Sequence, residues 1–223
     1  MTNDLRGISL WWDTLPDDLR TPLGSPLPGA ADADVAIVGA GYTGLWTAYY
    51  LIRADPSLRI AIVEAEQAGF GASGRNGGWA SALFPASIAA LAKRSSRDAA
   101  IRMTRAMQAT VDEIGAVAAA EGWDIGWAKG GTVVAARSPL QRDRARAEID
   151  EWRSWGFGED DYAYLDADDA ARRIGATDVL AATYTPHCAA IHPARLARSL
   201  AREVVAAGVR LYEQTPAISI EQK

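Results

Sequence analysis

The chain is nearly free of cysteine and has no block of positive charge. Its single cysteine among 223 residues, Cys188, cannot form an internal disulfide, and no cysteine pair offers a zinc-site spacing. Lysine and arginine number 23 against 28 acids, for a net charge of −5 and an isoelectric point near 5.1. Nucleic acid is therefore not expected as a partner. Long apolar runs are missing too: the most apolar stretch, LWTAYYLI at 45–52, falls well short of the roughly 20 residues that span a bilayer, so no membrane partner is expected. The opening MTNDLRGISLWWDTLP carries acids and lacks the apolar core of a signal peptide. With one cysteine, this leads us to expect a soluble protein in a reducing, cytoplasmic setting. What remains is 49% hydrophobic and 23% charged, a globular balance at a length suited to one large domain or two small ones. No internal repeat or low-complexity segment interrupts it.

Residues 1–33 read as an irregular arm, because Pro16, Pro22, Pro26, Pro28, Gly24 and Gly29 oppose helix and strand. The Trp11-Trp12 pair is expected to anchor this arm on the body of the protein. Order begins at Val35-Ala36-Ile37-Val38, a short apolar run that reads as a buried parallel strand. GAGYTG follows, then a helix whose Leu45, Ala48, Tyr49 and Ile52 recur at helical spacing and which Asp55-Pro56 ends. Ile60-Ala61-Ile62-Val63 completes a strand–helix–strand unit of about thirty residues.

Further on, the spacing of Met103, Met107, Val111, Ile114 and Ala118 predicts helix over 86–120, with the methionines filling core. DIGWAKGGTVVAA predicts a hairpin about Lys129-Gly130-Gly131. Ser138-Pro139 and His192-Pro193 each open a helix, the first reaching about Trp155 and the second closing at Gly208. A short helix is expected over 167–174, and strands over 179–185 and 209–213. The order is α/β with a β-rich excursion in its middle. It divides into the arm at 1–33, a first nucleotide-binding part at 34–120, a β-rich part at 121–190 and a return at 191–223.

Gly39-Ala40-Gly41-Tyr42-Thr43-Gly44 matches G-x-G-x-x-G between a strand and a helix. In that setting Gly39 permits the turn, Gly41 admits a pyrophosphate to the backbone, and Gly44 lets the helix lie close to the strand. The amides and dipole of the helix start favour an anion. Glu64, twenty residues past Gly44, is placed to accept hydrogen bonds from both ribose hydroxyls of an adenosine. An adenine dinucleotide follows, either NAD or FAD. GFGASGRNGG at 69–78 bears on that choice: Gly71, Gly74, Gly77 and Gly78 allow close approach, while Ser73, Arg75 and Asn76 are donors for phosphate or ring oxygens. On composition alone the segment is equally a flexible surface loop.

GAGYTGLWTAYYL followed by VEAEQAGFGASGRNGGW resembles the amino-terminal signature of the FAD-dependent oxidoreductases of the D-amino-acid oxidase and glycine oxidase superfamily. It is similar to the branch that includes gamma-glutamylputrescine oxidase, whose members share an arm like Trp12-Asp13-Thr14-Leu15-Pro16. The resemblance implies a Rossmann-type FAD-binding domain with part of a β-rich substrate domain inserted. It implies non-covalent FAD held by Gly39, Ala40, Gly41, Tyr42, Thr43, Gly44 and Glu64. Ala72, Ser73, Arg75, Asn76, Gly77 and Gly78 would lie along the pyrophosphate and flavin. The late segment HPARLARSLAREVVAAGVRLYEQTPAISIE resembles the return to the nucleotide domain, which makes Ala217 a backbone contact to adenine. The family has valine there.

The implied reaction is oxidation of a small-molecule amine or amino-acid substrate by hydride transfer to flavin, with oxygen or another electron acceptor taking the electrons. Members of the family are roughly twice as long as this chain, so an amino-terminal portion is expected. A nicotinamide-dependent dehydrogenase and a catalytically inactive fragment are the alternatives. The first predicts that 69–78 is dispensable for cofactor affinity; the second predicts that activity returns only when the missing half is supplied. No catalytic residue and no oligomeric state follow from the sequence. Some relatives bind flavin through a histidine after the glycine-rich loop, where this chain has Trp79. His187, Cys188 and His192 lack a third ligand at a helpful spacing, so no metal is expected. Asp166, Asp168 and Asp169 precede a helix and suit its dipole, and Arg142, Arg144 and Arg146 read as a solvated face.

Overall fold

A computed structural model describes residues 5–221, so the first four residues of the expected arm and the last two of the chain lie outside the described residues. In chain order the elements are α1 (Leu10–Asp13), α2 (Asp17–Arg20), β1 (Val35–Val38), α3 (Tyr42–Ala54), β2 (Ile60–Val63), a 3-10 turn (Ala72–Gly74) and β3 (Trp79–Ser81). Next come α4 (Ile88–Arg94), α5 (Arg97–Ala120), β4 (Ala128–Lys129), β5 (Thr132–Ala136) and α6 (Pro139–Ser154). The series ends with β6 (Ala163–Asp166), α7 (Ala167–Arg173), β7 (Ala181–Thr185), β8 (Cys188–Ala190), α8 (Pro193–Ala206) and β9 (Arg210–Tyr212).

Two units divide these elements. The first comprises residues 1–78, 122–126 and 191–223; the second comprises 79–121 and 127–190. Within the first, β1, β2 and β9 form a parallel sheet in the order β1-β2-β9, with Val38 opposite Val63 and Val63 opposite Tyr212. Parallel neighbours need a crossover, and α3 supplies it between β1 and β2. Its Leu45, Ala48, Tyr49 and Ile52 are buried, as their spacing requires. From α8 come Leu196, Leu200 and Val204, also buried, and each such side chain contributes about 1.5–3 kcal/mol relative to exposure. Ala194, Ala197 and Ala201 on the same helix are fully buried, and their small side chains let α3 and the 3-10 turn come close to it.

The arm is less irregular than its prolines predict. Ser9 caps α1 by accepting from Trp12 N at 3.3 Å, and α2 adds one further turn. Trp12, Leu15 and Leu19 from these turns cluster on Ala194, with Trp12 only 2% exposed. Proline is compatible with such short helices because it occupies their entrances: Pro16 is the N-cap of α2.

The second unit carries the β-rich part together with α4 and α5. Its sheets run β3-β8-β4 and β5-β7-β6, all antiparallel. The predicted hairpin at 129–131 is not formed: β4 pairs with β8 and β5 with β7, because Gly131 N donates to Cys188 O and leads the chain from one sheet into the other. The helix expected over 86–120 breaks at Ser95-Ser96, where Ser96 turns extended and caps α5 through Ala99 N. That break places α4 beside α5. The sequence reading carries the first nucleotide-binding part to residue 120, whereas the contacts group 79–121 with the second unit. Met103 is 46% exposed, not core. Ser138 caps α6 and Asp166 caps α7 through their side chains.

Candidate functional site

The turn after β1 is built from the glycines of the G-x-G-x-x-G motif. Gly39 has φ of +95°, a conformation natural to glycine, and its N–H donates to Val63 O at 2.8 Å. A Cβ on Gly44 would lie 2.1 Å from Gly39 O and 3.0 Å from Ile37 Cγ2, so only glycine lets α3 start this close to β1. Gly41 is the N-cap of α3 and has no side chain to cap it. The cap comes instead from the glycine-rich loop: Ser73 Oγ accepts from Tyr42 N at 2.9 Å. A Cβ on Gly41 would meet that same oxygen at 3.0 Å. The first-turn amides of Thr43 and Gly44 have no acceptor within the helix, and Thr43 is exposed.

Glu64 continues β2 and folds back on the turn. Its Oε2 accepts from Ala40 N at 2.8 Å and its Oε1 from Glu66 N at 3.0 Å. A carboxylate has about four acceptor sites, so room remains for two ribose hydroxyls. Beyond β9 the chain is tied to the same place, with Thr215 N donating to Glu64 O at 2.7 Å and Gln214 N to Glu66 O at 2.9 Å. Ala217 lies exposed two residues further on.

Glycine-rich residues 69–78 form an ordered loop docked on the first turn, with Gly69 N donating to Ala40 O at 2.9 Å. A Cβ on Gly74 would stand 2.1 Å from Gly69 O, which fixes glycine where the loop doubles back. Asn76 holds the loop from inside: Nδ2 donates to Ala72 O and Ser73 O at 3.2 and 3.1 Å, and Oδ1 accepts from Gly78 N at 2.8 Å. Arg75 stacks on Phe70, its guanidinium 4.6 Å from the ring centre. Ala72, Arg75 and Gly77 are exposed, whereas Gly78 is buried with φ of +73°. Tyr42 donates its hydroxyl proton to Pro193 O at 2.9 Å, and burial pushes that hydroxyl's pKa up.

The structure thus joins Gly39–Gly44, Glu64 and Ser73 by direct hydrogen bonds, and places Arg75–Gly78 along the same loop. Two features were missed in the sequence. Arg198 and Glu213, 0% and 1% exposed, form a buried ion pair at 3.1 Å. The available signal was an arginine at 198 in line with the buried alanines 194, 197 and 201. Trp11 donates its indole N–H to Asn76 O at 2.8 Å, a contact with no signature beyond the tryptophan pair.

The histidines divide as chemistry directs. His192 caps α8 by accepting from Arg195 N at Nδ1, 3.2 Å. His187 lies in the second unit beside Asp161, at 3.2 Å, where Arg105 also binds the carboxylate. Burial opposes ionisation of Asp161, but the bonds from Arg105 and His187 hold its carboxyl below the usual range. Among the described residues no cluster of three or more His, Cys, Asp or Glu could hold a metal. A cavity of about 250 Å³ in the second unit is lined by Leu83, Met103, Met107, Glu148 and Trp152 among others, and by none of the predicted site residues. No helix among the described residues is long and apolar enough to cross a membrane.

Residues 34–223 match the family described as FAD dependent oxidoreductase. A probable oxidoreductase OrdL of Rhizobium meliloti is 31% identical over 221 residues, covering 97% of this chain and 49% of that protein. The gamma-glutamylputrescine oxidoreductase of Escherichia coli is 31% identical over 191 residues, covering 84% of this chain and 43% of that protein. Among solved structures, an L-amino acid deaminase from Proteus vulgaris superposes with a TM-score of 0.71 at 22% identity, covering 94% of this chain and 52% of that one; this likeness bears on the fold. The chain spans about half the length of the curated relatives it matches. It belongs to the FAD-dependent oxidoreductase family.

Proposed function

We propose, with that membership as the premise, that this chain holds FAD at the joined turn and loop of its first unit and serves oxidation of an amine or amino acid. The observation that carries the reading is the bond from Tyr42 N to Ser73 Oγ. It folds the segment after β2 over the start of α3, where an NAD site needs nothing. Gly39–Gly44 would receive the pyrophosphate at the helix start, and Glu64 the adenosine ribose. Ser73, Arg75, Gly77 and Gly78 would line the path from pyrophosphate to flavin, and the backbone of Ala217 would meet adenine. When bound, flavin supplies the hydride acceptor for a carbon bearing nitrogen, and the oxidised product is an imine that water hydrolyses. The chain's own part is to bind and orient the cofactor. The substrates named for relatives, gamma-glutamylputrescine among them, define the chemical class to screen: primary and secondary amines and amino acids.

The test is the visible absorption spectrum of the purified protein after addition of FAD and gel filtration, beside titrations with FAD and NAD. Retained flavin, with FAD bound more tightly than NAD and weakened by Gly77→Val, is the expected result. Tight NAD binding with no uptake of FAD would refute the assignment.

A further inference from the structure

The arm meets the glycine-rich loop through Trp11, a residue that the cofactor reading leaves unused. Trp11 Nε1 donates to Asn76 O at 2.8 Å across 65 residues of sequence. Its ring lies against Gly78, where an added Cβ would come within 3.0 and 3.1 Å of Cζ2 and Cη2. The ring is also packed edge-on to His192, 5.1 Å between centres at 63°. His192 is itself held. Because Nδ1 accepts from Arg195 N, the neutral ring carries its proton on Nε2 and donates it to Thr14 Oγ1 at 3.2 Å, while the Thr14 hydroxyl donates to Leu10 O at 2.7 Å. One chain of contacts therefore runs from the entrance of α8 through α1 to the loop.

The loop needs such a hold. Asn76-Gly77-Gly78 contains two adjacent glycines, the residues with most backbone freedom to lose on ordering. Gly78 is pinned on both sides, its N–H to Asn76 Oδ1 at 2.8 Å and its carbonyl by Ile191 N at 2.8 Å. Gly77 is exposed, and a Cβ placed on it would meet nothing within 4 Å. What orients the Gly77 N–H is the peptide plane it shares with the Asn76 carbonyl. In a trans peptide the carbonyl and the N–H point in opposite directions, and no cis bond is present among the described residues. Binding the Asn76 carbonyl to the indole therefore aims the Gly77 N–H away from the arm.

We propose that Trp11 is a positioning residue for the glycine-rich loop, holding the Asn76–Gly77 peptide so that the Gly77 N–H is set as a donor before a ligand arrives. That the ligand is FAD rests on the proposed function; the setting of the peptide does not. Preorganisation of this kind raises affinity by removing an ordering cost from binding. It makes the tryptophan-bearing arm part of the cofactor site although it contributes no group to the nucleotide motif.

Trp11→Phe keeps an aromatic ring in the seat beside Gly78 and His192, deletes the N–H and shrinks the ring system by three heavy atoms. Three measurements on the unliganded and FAD-titrated protein separate positioning from bulk stability: thermal midpoint, amide hydrogen exchange over 75–79, and FAD dissociation constant by flavin fluorescence. We expect the midpoint of W11F to fall by about 2–4 °C, the shift that about 1 kcal/mol gives in a chain of this size. Exchange at Gly78, whose N–H is held by Asn76 Oδ1, should quicken several-fold, and the FAD dissociation constant should rise about fivefold, as loss of one hydrogen bond implies. Trp11→Ala should carry both changes further, because the ring seat goes too. Unaltered exchange in W11F, or a lowered midpoint with unaltered FAD affinity, overturns the proposal. If the unsubstituted protein takes up no FAD, exchange alone decides: faster exchange in W11F upholds the positioning role and leaves the FAD assignment as the part that failed.

Discussion

Substituting Arg198 by methionine, alone and together with Glu213→Leu, tests what the buried ion pair is for. Buried pairs are commonly neutral or worse against apolar residues of similar volume, and replacing both partners can stabilise by about 1–4 kcal/mol. The arrangement here predicts otherwise. Glu213 accepts from Leu23 N at 2.8 Å, Gly24 N at 3.2 Å and Ala68 N at 2.8 Å, besides Arg198. Arg198 donates to Leu19 O at 2.8 Å, to Ala68 O at 3.2 Å and to Thr21 O. The pair is thus a hub that satisfies backbone groups of the arm and of the residue leading into the glycine-rich loop. Burial lowers the pKa of Arg198, while Glu213 opposes that shift.

With Arg198→Met alone, Glu213 loses its counter-charge in a dry site, and the expected loss is about 3–5 kcal/mol. In the double variant no charge is stranded, yet Ala68, fully buried, loses partners for both its N–H and its carbonyl. At about 1–3 kcal/mol for each unsatisfied group, the double variant should still be destabilised by about 3 kcal/mol. Arm groups add less, since Thr21 is exposed and water can replace the lost bonds. The assay is urea unfolding followed by tryptophan fluorescence at pH 7, comparing midpoints and slopes. A double variant as stable as the unsubstituted chain would refute the hub and return the pair to the ordinary rule.

Two further outcomes follow from the same geometry. Gly44→Ala should cost about 2 kcal/mol by forcing α3 off β1 and should abolish FAD retention, whereas Gly77→Ala, with nothing within 4 Å of its added carbon, should leave urea stability within about 0.5 kcal/mol. Burial first, and Arg195 second, lower the pKa of His192 from its ordinary 6.5. Above that value the folded and unfolded chains are both neutral there; as pH falls through it, the unfolded chain takes up a proton that the folded one resists, so stability drops towards pH 5. Urea midpoints at pH 7.5 and 5.5 should show this drop, reduced in His192→Asn, which keeps a capping side chain; an undiminished drop would refute it.

What was legible in the sequence was local. The β1–α3–β2 unit, the glycines of its turn and the helix caps Ser138 and His192 each depend on residues within a few turns of one another. Their periodicity and side-chain chemistry admit few other conformations. The errors lie where pairing is distant. Strands β3 and β8, three residues each, carry too little pattern to announce themselves. The hairpin expected at 129–131 dissolved because β7 and β8 offered longer-range partners on either side. Ser95-Ser96 hides a helix break inside a continuous apolar rhythm.

The sequence by itself determined that a glycine turn joins β1 to α3 and which residues compose it, since a glycine is required wherever backbone must meet backbone. Only tertiary structure decided how that turn and its loop are held: Ser73 capping α3 from 31 residues away, Trp11 binding Asn76 across 65, and Glu213 reaching Leu23 across 190. Such bonds carry no local signature, because a serine, a tryptophan or a glutamate reads the same whether it faces water or a distant carbonyl. Burial makes the difference, by removing the water that would otherwise satisfy these groups and leaving the fold to supply each partner.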